Sequence, residues 1–182
     1  MAAAAQNNWV TLGTVALEAD ATTTGVVTFP AYDLLMISYC VTGYNVADTA
    51  GFNFNMTTDQ GFGGSHADRH LYAPSGTTTL TDSFDNAGVA GTGMSVRLAG
   101  FTTTQAQTGV MHVQAASGVV VTHPIIVYNS TTSAAGTTPP IELPGVGNLL
   151  FTEALYSAEL LTRGGNNMLA GSGFTVFGAN IG

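Results

Sequence analysis

The segment SHADRH contains the residues best suited to metal chemistry. His66, Asp68 and His70 occupy alternate positions, so on a β-strand they share one face. Two imidazoles and a carboxylate are suitable ligands for zinc or non-haem iron. Same-face neighbours on a strand lie about 7 Å apart, so a metal also needs ligands from another element. The alternative interpretation is a polar strand face, or histidines that meet across an oligomer axis. We expect no metal and no cofactor.

Other reactive residue types lack the context that catalysis needs. Ser172 in AGSGF is not part of a GxSxG strand–turn–helix motif. Asp82 and Asp85 lie in a turn-rich segment, where solvation or a local turn explains them better than a glycosidase pair. Cys40 is the single cysteine and lies in an apolar run, which predicts a small buried hydrophobe. The sequence therefore predicts a protein that is not an enzyme. The alternative is a cupin-like metal enzyme built on the SHADRH residues and His112.

The composition argues against several classes of partner. The chain has 182 residues, three arginines, no lysine and a net charge of −8. Binding to phosphates depends on Lys and Arg, so neither nucleic acid nor an anionic membrane surface is an expected partner. No apolar run approaches the ~20 residues of a membrane helix. The opening MAAAAQNN lacks a basic region and a long apolar stretch, so no secretion signal is predicted.

Apolar residues follow a period of two, which is typical of half-buried strands. Phe52 alternates with Asn53, and Met111 alternates with His112. The runs YDLLMISYCV and VVVTHPIIVYN are almost continuously apolar, which predicts central strands buried on both faces. Turn residues separate the strands at the spacing of an antiparallel sandwich or barrel with eight to ten strands. Trp9 opens the first strand, and we expect it to anchor that strand to the core. The alternative is an anchor at an interface, where tryptophan is enriched.

Three segments are harder to interpret. TEALYSAELLTRGG carries helix signals: Thr152 as a cap, Arg163 in a last turn and Gly164 as a terminator. Residues 77–93 and 129–147 are polar or rich in turn residues, which predicts two long irregular loops between strands. Long ordered loops of this kind are often contact surfaces.

The two ends of the chain resemble a family of jelly-roll virion proteins of tailed bacteriophages. The family pattern is W-x-x-L-G near the start, an apolar strand reaching Tyr-x-x-Leu, a Phe-Asn strand, a Gly-Gly-Asn turn, a Gly-Ser and a closing aromatic strand with a Phe/Tyr-Gly finish. The resemblance covers the first 55 and the last 30 residues. The matching residues are Trp9, Leu12, Gly13, Tyr32, Leu35, Phe54, Asn55, Gly164, Gly165, Asn166, Gly171, Ser172, Phe174, Phe177 and Gly178.

This resemblance implies an all-β fold: an antiparallel β-sandwich of the jelly-roll type with a short N-terminal arm. Residues 1–8 would form the flexible arm and residues 9–182 a single domain. In the family the segment before Gly-Gly-Asn is a strand, so we predict a strand over residues 153–162, because burial in a sheet often overrides local helix preference.

The resemblance also implies a function. We expect a capsid decoration, or cement, protein on the outside of the phage head. Its partners would be two further copies of itself, in a homotrimer, and the major capsid protein. The alternative is a head or tail fibre domain that binds host carbohydrate, for which Phe62, Tyr72, Phe84 and Asp85 are candidate contacts.

Overall fold

The computed structural model describes residues 8–46, 48, 50–56, 66–72, 81–85, 96–97, 106–114, 125–132, 141–149, 154–162 and 164–180. Of these, the backbone alone is described for 53, 55–56, 66–72, 81–85, 96–97, 125–132 and 141–149. No helix in this part of the chain is long and apolar enough to cross a membrane. The described residues form twelve strands: β1 (Val10–Ala16), β2 (Val27–Thr28), β3 (Leu34–Val41), β4 (Ala50–Met56), β5 (His66–Tyr72), β6 (Thr81–Asp85), β7 (Val96–Arg97), β8 (Gln107–Gln114), β9 (Ile125–Thr132), β10 (Ile141–Leu149), β11 (Leu155–Thr162) and β12 (Gly173–Ala179).

The strands form two antiparallel sheets. The larger has eight strands in the order β1-β12-β3-β8-β9-β10-β5-β6, and the smaller has four in the order β2-β11-β4-β7. The predicted all-β, antiparallel class is therefore confirmed for the described residues. They contain twelve strands rather than eight to ten. β2 and β7 are each two residues long, too short to produce a periodic pattern in the sequence.

The two ends of the chain meet in the larger sheet. β12 lies between β1 and β3, with Phe174 opposite Val15 on one side and Tyr39 on the other. The last strand of the described chain, β12, therefore lies between two of its first three strands. β8 completes this half of the sheet, with Met111 opposite Ile37.

One apolar core joins the two sheets. The ring of Phe52 in β4 lies 5.5 Å from the ring of Tyr39 in β3 and 5.3 Å from that of Phe174 in β12, both edge-on. Edge-to-face pairs of this kind contribute about 0.5–1.5 kcal/mol beyond the burial of their area. Further core residues are Leu35, Ile37, Val41, Met111 and Val113 from the larger sheet and Phe54, Ala158 and Leu160 from the smaller.

Several sequence predictions are confirmed. Phe52 and Phe54 are buried, as are Met111 and Val113, while His112 and Gln114 are exposed. The segment with helix signals is a strand, β11. Its residues pair with β4 on one side and with β2 on the other, so the gain from sheet pairing and burial exceeds its helical propensity.

The prediction that YDLLMISYCV is buried on both faces is wrong for one face. β3 lies centrally in its sheet, but buried positions alternate with more exposed ones, and Ser38 is exposed. The smaller sheet covers only one side of β3. Residues 119–124 of the other apolar run lie outside the described residues.

Trp9 does not anchor β1 in the core. The side chain of Trp9 is 40% exposed, and that of the next residue, Val10, is 41% exposed. The strand is instead held to the core by Leu12, Val15 and Leu17, which occupy its inward side. The tryptophan therefore lies on the surface where the chain enters β1.

Strands also occupy parts of both segments predicted as irregular loops. β6 lies within residues 77–93, and β9 and β10 cover much of 129–147. Backbone pairing does not require apolar side chains, and Thr is favourable in strands. Pro144 in β10 is opposite Asn129 of β9. On its other side β10 pairs with β5 only from Gly145 onward, so Pro144 has a paired strand on one side only. A proline without a donor fits such a position.

Candidate functional site

The side of the larger sheet that faces away from the core forms a continuous surface. Strand alternation assigns its members, because residues opposite one another on paired strands share a face. Thr14 is opposite Thr175, Thr175 is opposite Ser38, and Ser38 is opposite Val110. We call the surface made by these positions of β1, β12, β3 and β8 the outer face. Its residues are Thr11, Thr14, Ala16, Leu34, Met36, Ser38, Cys40, Thr108, Val110, His112, Gln114, Gly173, Thr175, Phe177 and Ala179.

The outer face carries no Asp, Glu, Lys or Arg at any of these positions. Its exposed members are mostly small, hydroxyl-bearing or apolar, such as Thr14, Ala16, Ser38 and Val110. This is notable in a chain with a net charge of −8. The carboxylates whose side chains are described lie elsewhere, at Glu18, Asp20, Asp33, Asp48 and Glu159.

A shallow depression of about 510 Å³ lies in the middle of the outer face. Hydroxyl groups line it together with backbone at glycines, and the hydroxyls of Thr14 and Thr175 are 2.9 Å apart across the strand pair. The depression is open, and it has none of the enclosed, convergent polar groups that fix a small ligand. Its shape suits contact with another protein surface.

Cys40 lies in this depression and is half-buried, rather than buried as the sequence suggested. Desolvation by burial raises the pKa of its thiol. A raised pKa reduces the thiolate population, which is the nucleophilic form. Cys40 is therefore suited to packing rather than to reaction.

The loops at one end of the sheets are connected by side-chain hydrogen bonds. The buried Ser172 hydroxyl donates to the Leu169 carbonyl at 2.7 Å and accepts from the backbone N–H of Thr42 at 3.1 Å. The Thr42 hydroxyl in turn donates to the Ala170 carbonyl at 3.0 Å. Ser172 thus closes a turn, and the residues after it form the strand β12 rather than the helix of a GxSxG motif.

Asp48 organises the Gly-Gly-Asn turn. Its carboxylate accepts hydrogen bonds from the backbone N–H groups of Gly164 at 2.7 Å and Asn166 at 2.9 Å. Gly165 has a φ of 81°, which favours glycine. Asn45 Oδ1 accepts from the N–H of Asn167 at 2.8 Å. The sequence pattern identified the turn, but not the carboxylate from another loop that stabilises it.

The histidine-containing segment is a strand, β5, as the metal hypothesis required. His66, Asp68 and His70 occupy alternate positions on it. Only the backbone of these three residues is described. Where side chains are described, no group of three or more His, Cys, Asp or Glu is placed to hold a metal ion. His112 is on β8, which β9 and β10 separate from β5 in the same sheet, so β5 and His112 do not form one site.

The candidate carbohydrate contacts are only partly located. Tyr72 ends β5, while Phe84 and Asp85 lie in β6, opposite Arg69 and Asp68. Phe62 is outside the described residues, as are residues 1–7 of the proposed arm. Sequence reasoning missed the outer face. A signal was present, since small and hydroxyl residues recur at the outer-face positions of β1 and β12, but the order of the strands is needed to combine them.

No protein-family model matches the chain. No curated protein matches it, and no solved structure matches it either.

Proposed function

We propose that this chain is a non-enzymatic virion structural protein: a capsid decoration protein that binds the outside of a phage head and stabilises it. In this proposal the two sheets form a jelly-roll sandwich, and three copies assemble into a trimer. The observation that carries the proposal is the outer face, whose positions on β1, β12, β3 and β8 include no Asp, Glu, Lys or Arg. The resemblance of the chain ends to phage virion proteins indicates the binding partner, which is the shell of a phage head.

The charge distribution favours contact between copies through the outer face. Each copy carries a net charge of −8, so bringing copies together is opposed by electrostatic repulsion. A contact through Thr14, Ser38, Val110 and their neighbours avoids placing carboxylates against one another. It also avoids the desolvation of charged groups, which costs several kcal/mol per ion. We therefore assign the outer face to the interface between copies.

Trimerisation supports binding to a shell in two ways. A protein that binds the assembled shell and not its separated subunits stabilises the shell by mass action. Three linked copies bind with a higher effective affinity than one, provided that the sites on the shell match their spacing. Neither effect requires a reactive group, which agrees with the inert surroundings of Cys40 and Ser172.

The first experiment measures mass in solution. Multi-angle light scattering of the purified chain should give three times the 18.6 kDa of one copy. A monomer at all concentrations up to the solubility limit contradicts the assignment of the outer face to self-association.

The second experiment locates the chain in the virion. Quantitative mass spectrometry and reconstruction of purified particles should find it in many copies on the head surface. A few copies at the tail, together with binding of the purified chain to glycans, would instead support the fibre function. Absence from the particle contradicts both virion functions.

A further inference from the structure

Strand pairing at the end of the larger sheet brings two acidic residues into direct opposition. Asp68 of β5 is the register partner of Asp85 of β6. His66 and His70 flank Asp68, each two positions away on β5 and therefore on the same face of the sheet. The sequence alone showed only one strand of this group, and the pairing with β6 supplies the second element that a metal site requires.

The pairing has an electrostatic cost when nothing is bound. Like charges at directly opposed positions of an antiparallel pair are destabilising. Asp82, the other acidic residue of β6, is the partner of Leu71 and belongs to the alternate face. Arg69 also belongs to the alternate face, so it does not share the face of Asp68 and Asp85. A bound cation would remove this repulsion.

The neighbouring strand leaves space beside these positions. On the other side of β5, Asp68 is opposite Gly147 and His70 is opposite Gly145, both in β10. Glycine has no side chain, so β10 leaves this face open beside Asp68 and His70, whereas His66 is opposite Leu149. In the sheet order β6 is the last strand among the described residues, which places the group at a sheet edge.

We propose that Asp68 and Asp85, with one or both of His66 and His70, bind a divalent metal ion of the zinc class. Mixed imidazole and carboxylate ligands suit Zn²⁺ better than Ca²⁺ or Mg²⁺, which take oxygen ligands. Directly opposed residues on paired strands are about 5 Å apart at Cβ, a separation that one ion can bridge. The ion would join β5 to β6 and stabilise the edge of the sheet. This inference is independent of the virion function.

The experiment is calorimetric titration of untagged, chelator-treated protein with Zn²⁺, with Mg²⁺ as the comparison metal. We expect one Zn²⁺ per chain and no comparable binding of Mg²⁺. Asp85→Asn and the double variant His66→Gln/His70→Gln should each lower the association constant about tenfold or more. Asp68→Asn provides a third variant if one of these fails to fold, as judged by circular dichroism.

Two matched controls separate this site from general charge effects. Asp82→Asn removes the same charge from the same strand on the alternate face, and His112→Gln removes a histidine from β8 of the same sheet. Each should leave the association constant within about twofold. The absence of stoichiometric Zn²⁺ binding overturns the proposal. Equal losses in the control and site variants overturn it too.

Discussion

A Cβ atom on Gly13 would lie 2.6 Å from Cγ1 of Val27. Gly13 is in β1 of the larger sheet, at a register irregularity, and Val27 is in β2 of the smaller sheet. The pair is therefore a point of close contact between the two sheets. It also gives a physical reason for the glycine in the W-x-x-L-G pattern, because any side chain at this position displaces a buried valine.

The first prediction concerns this contact. Gly13→Ala should lower the free energy of unfolding by about 1–3 kcal/mol, because the added methyl group overpacks the core. Urea denaturation followed by tryptophan fluorescence or circular dichroism measures the change. Gly25→Ala is the control, since its Cβ would lie 3.3 Å from Val15 Cγ2 in a more exposed position. Val27→Ala should suppress the Gly13→Ala effect in a double-mutant cycle. Additive effects contradict the contact.

The second prediction concerns the carboxylate that holds the Gly-Gly-Asn turn. Asp48→Ala removes both acceptors used by the N–H groups of Gly164 and Asn166. Hydrogen bonds to charged groups each contribute about 1.5–3 kcal/mol when buried, and this site is partly exposed. We therefore expect a total loss of about 1–3 kcal/mol in the free energy of unfolding. Glu18→Ala, at an exposed carboxylate, should change stability by less than about 0.5 kcal/mol. Similar losses in both variants would show that net charge, rather than the turn, is responsible.

The third prediction distinguishes a structural serine from a reactive one. Ser172→Ala leaves the N–H of Thr42 without the acceptor that it has at 3.1 Å, so stability should fall by about 1–3 kcal/mol. Ser38→Ala on the outer face is the matched control and should stay within about 0.5 kcal/mol. A serine-directed fluorophosphonate probe should label neither the parent protein nor the variants. Labelling at Ser172 contradicts the structural role.

Much of the fold could be predicted from the sequence, because burial on one face leaves a period of two. Phe52 and Phe54 show this period, and so do Met111 and Val113. What could not be predicted was how many faces are covered. β3 has apolar residues on both faces, as a doubly buried strand does, yet the four-stranded sheet covers one side only. Its residue type alone favours a core position for Trp9, but Leu12, Val15 and Leu17 supply the apolar contacts of this part of the chain.

The candidate surface depends on strand order, which local patterns do not contain. β12 separates β1 from β3, so Thr14, Thr175 and Ser38 are neighbours despite their distance in sequence. In the same way, Asp85 meets Asp68 only through the β5–β6 pairing. The sequence supplied the residue types for both sites, but the pairing of distant segments determines which of them share a face.

The fourth prediction tests the outer face as the interface between copies. Val110 is 37% exposed there, and Val110→Glu would place a carboxylate in the contact. The cost of burying an unpaired charge should raise the dissociation constant of the trimer by about tenfold or more. Val26→Glu adds the same charge at a valine that is 48% exposed and lies outside the outer face. Sedimentation equilibrium should show dissociation for Val110→Glu alone. Equal dissociation of both variants, or of neither, contradicts the assignment.

The last prediction concerns stability in alkali. The Tyr44 side chain is fully buried, and its hydroxyl donates to Gln107 Oε1 at 3.2 Å. Burial raises the pKa of Tyr44 above its ordinary value of 10.0. In the unfolded chain the phenol ionises near pH 10, whereas in the folded protein it remains protonated. The unfolded state therefore loses protons first, and stability falls as the pH rises above about 10, by up to about 1.4 kcal/mol per pH unit for this group.

Tyr44→Phe removes the ionisable group and should reduce the loss of stability between pH 9 and pH 11. This interval spans about one unit on each side of the ordinary tyrosine pKa. The variant should be less stable at pH 9, because the buried hydrogen bond is lost. Tyr156→Phe is the control, since Tyr156 is 48% exposed. Urea denaturation of the parent protein and both variants at the two pH values gives the six free energies that are compared. If Tyr44→Phe and Tyr156→Phe show the same pH dependence, burial of Tyr44 does not control the alkaline transition.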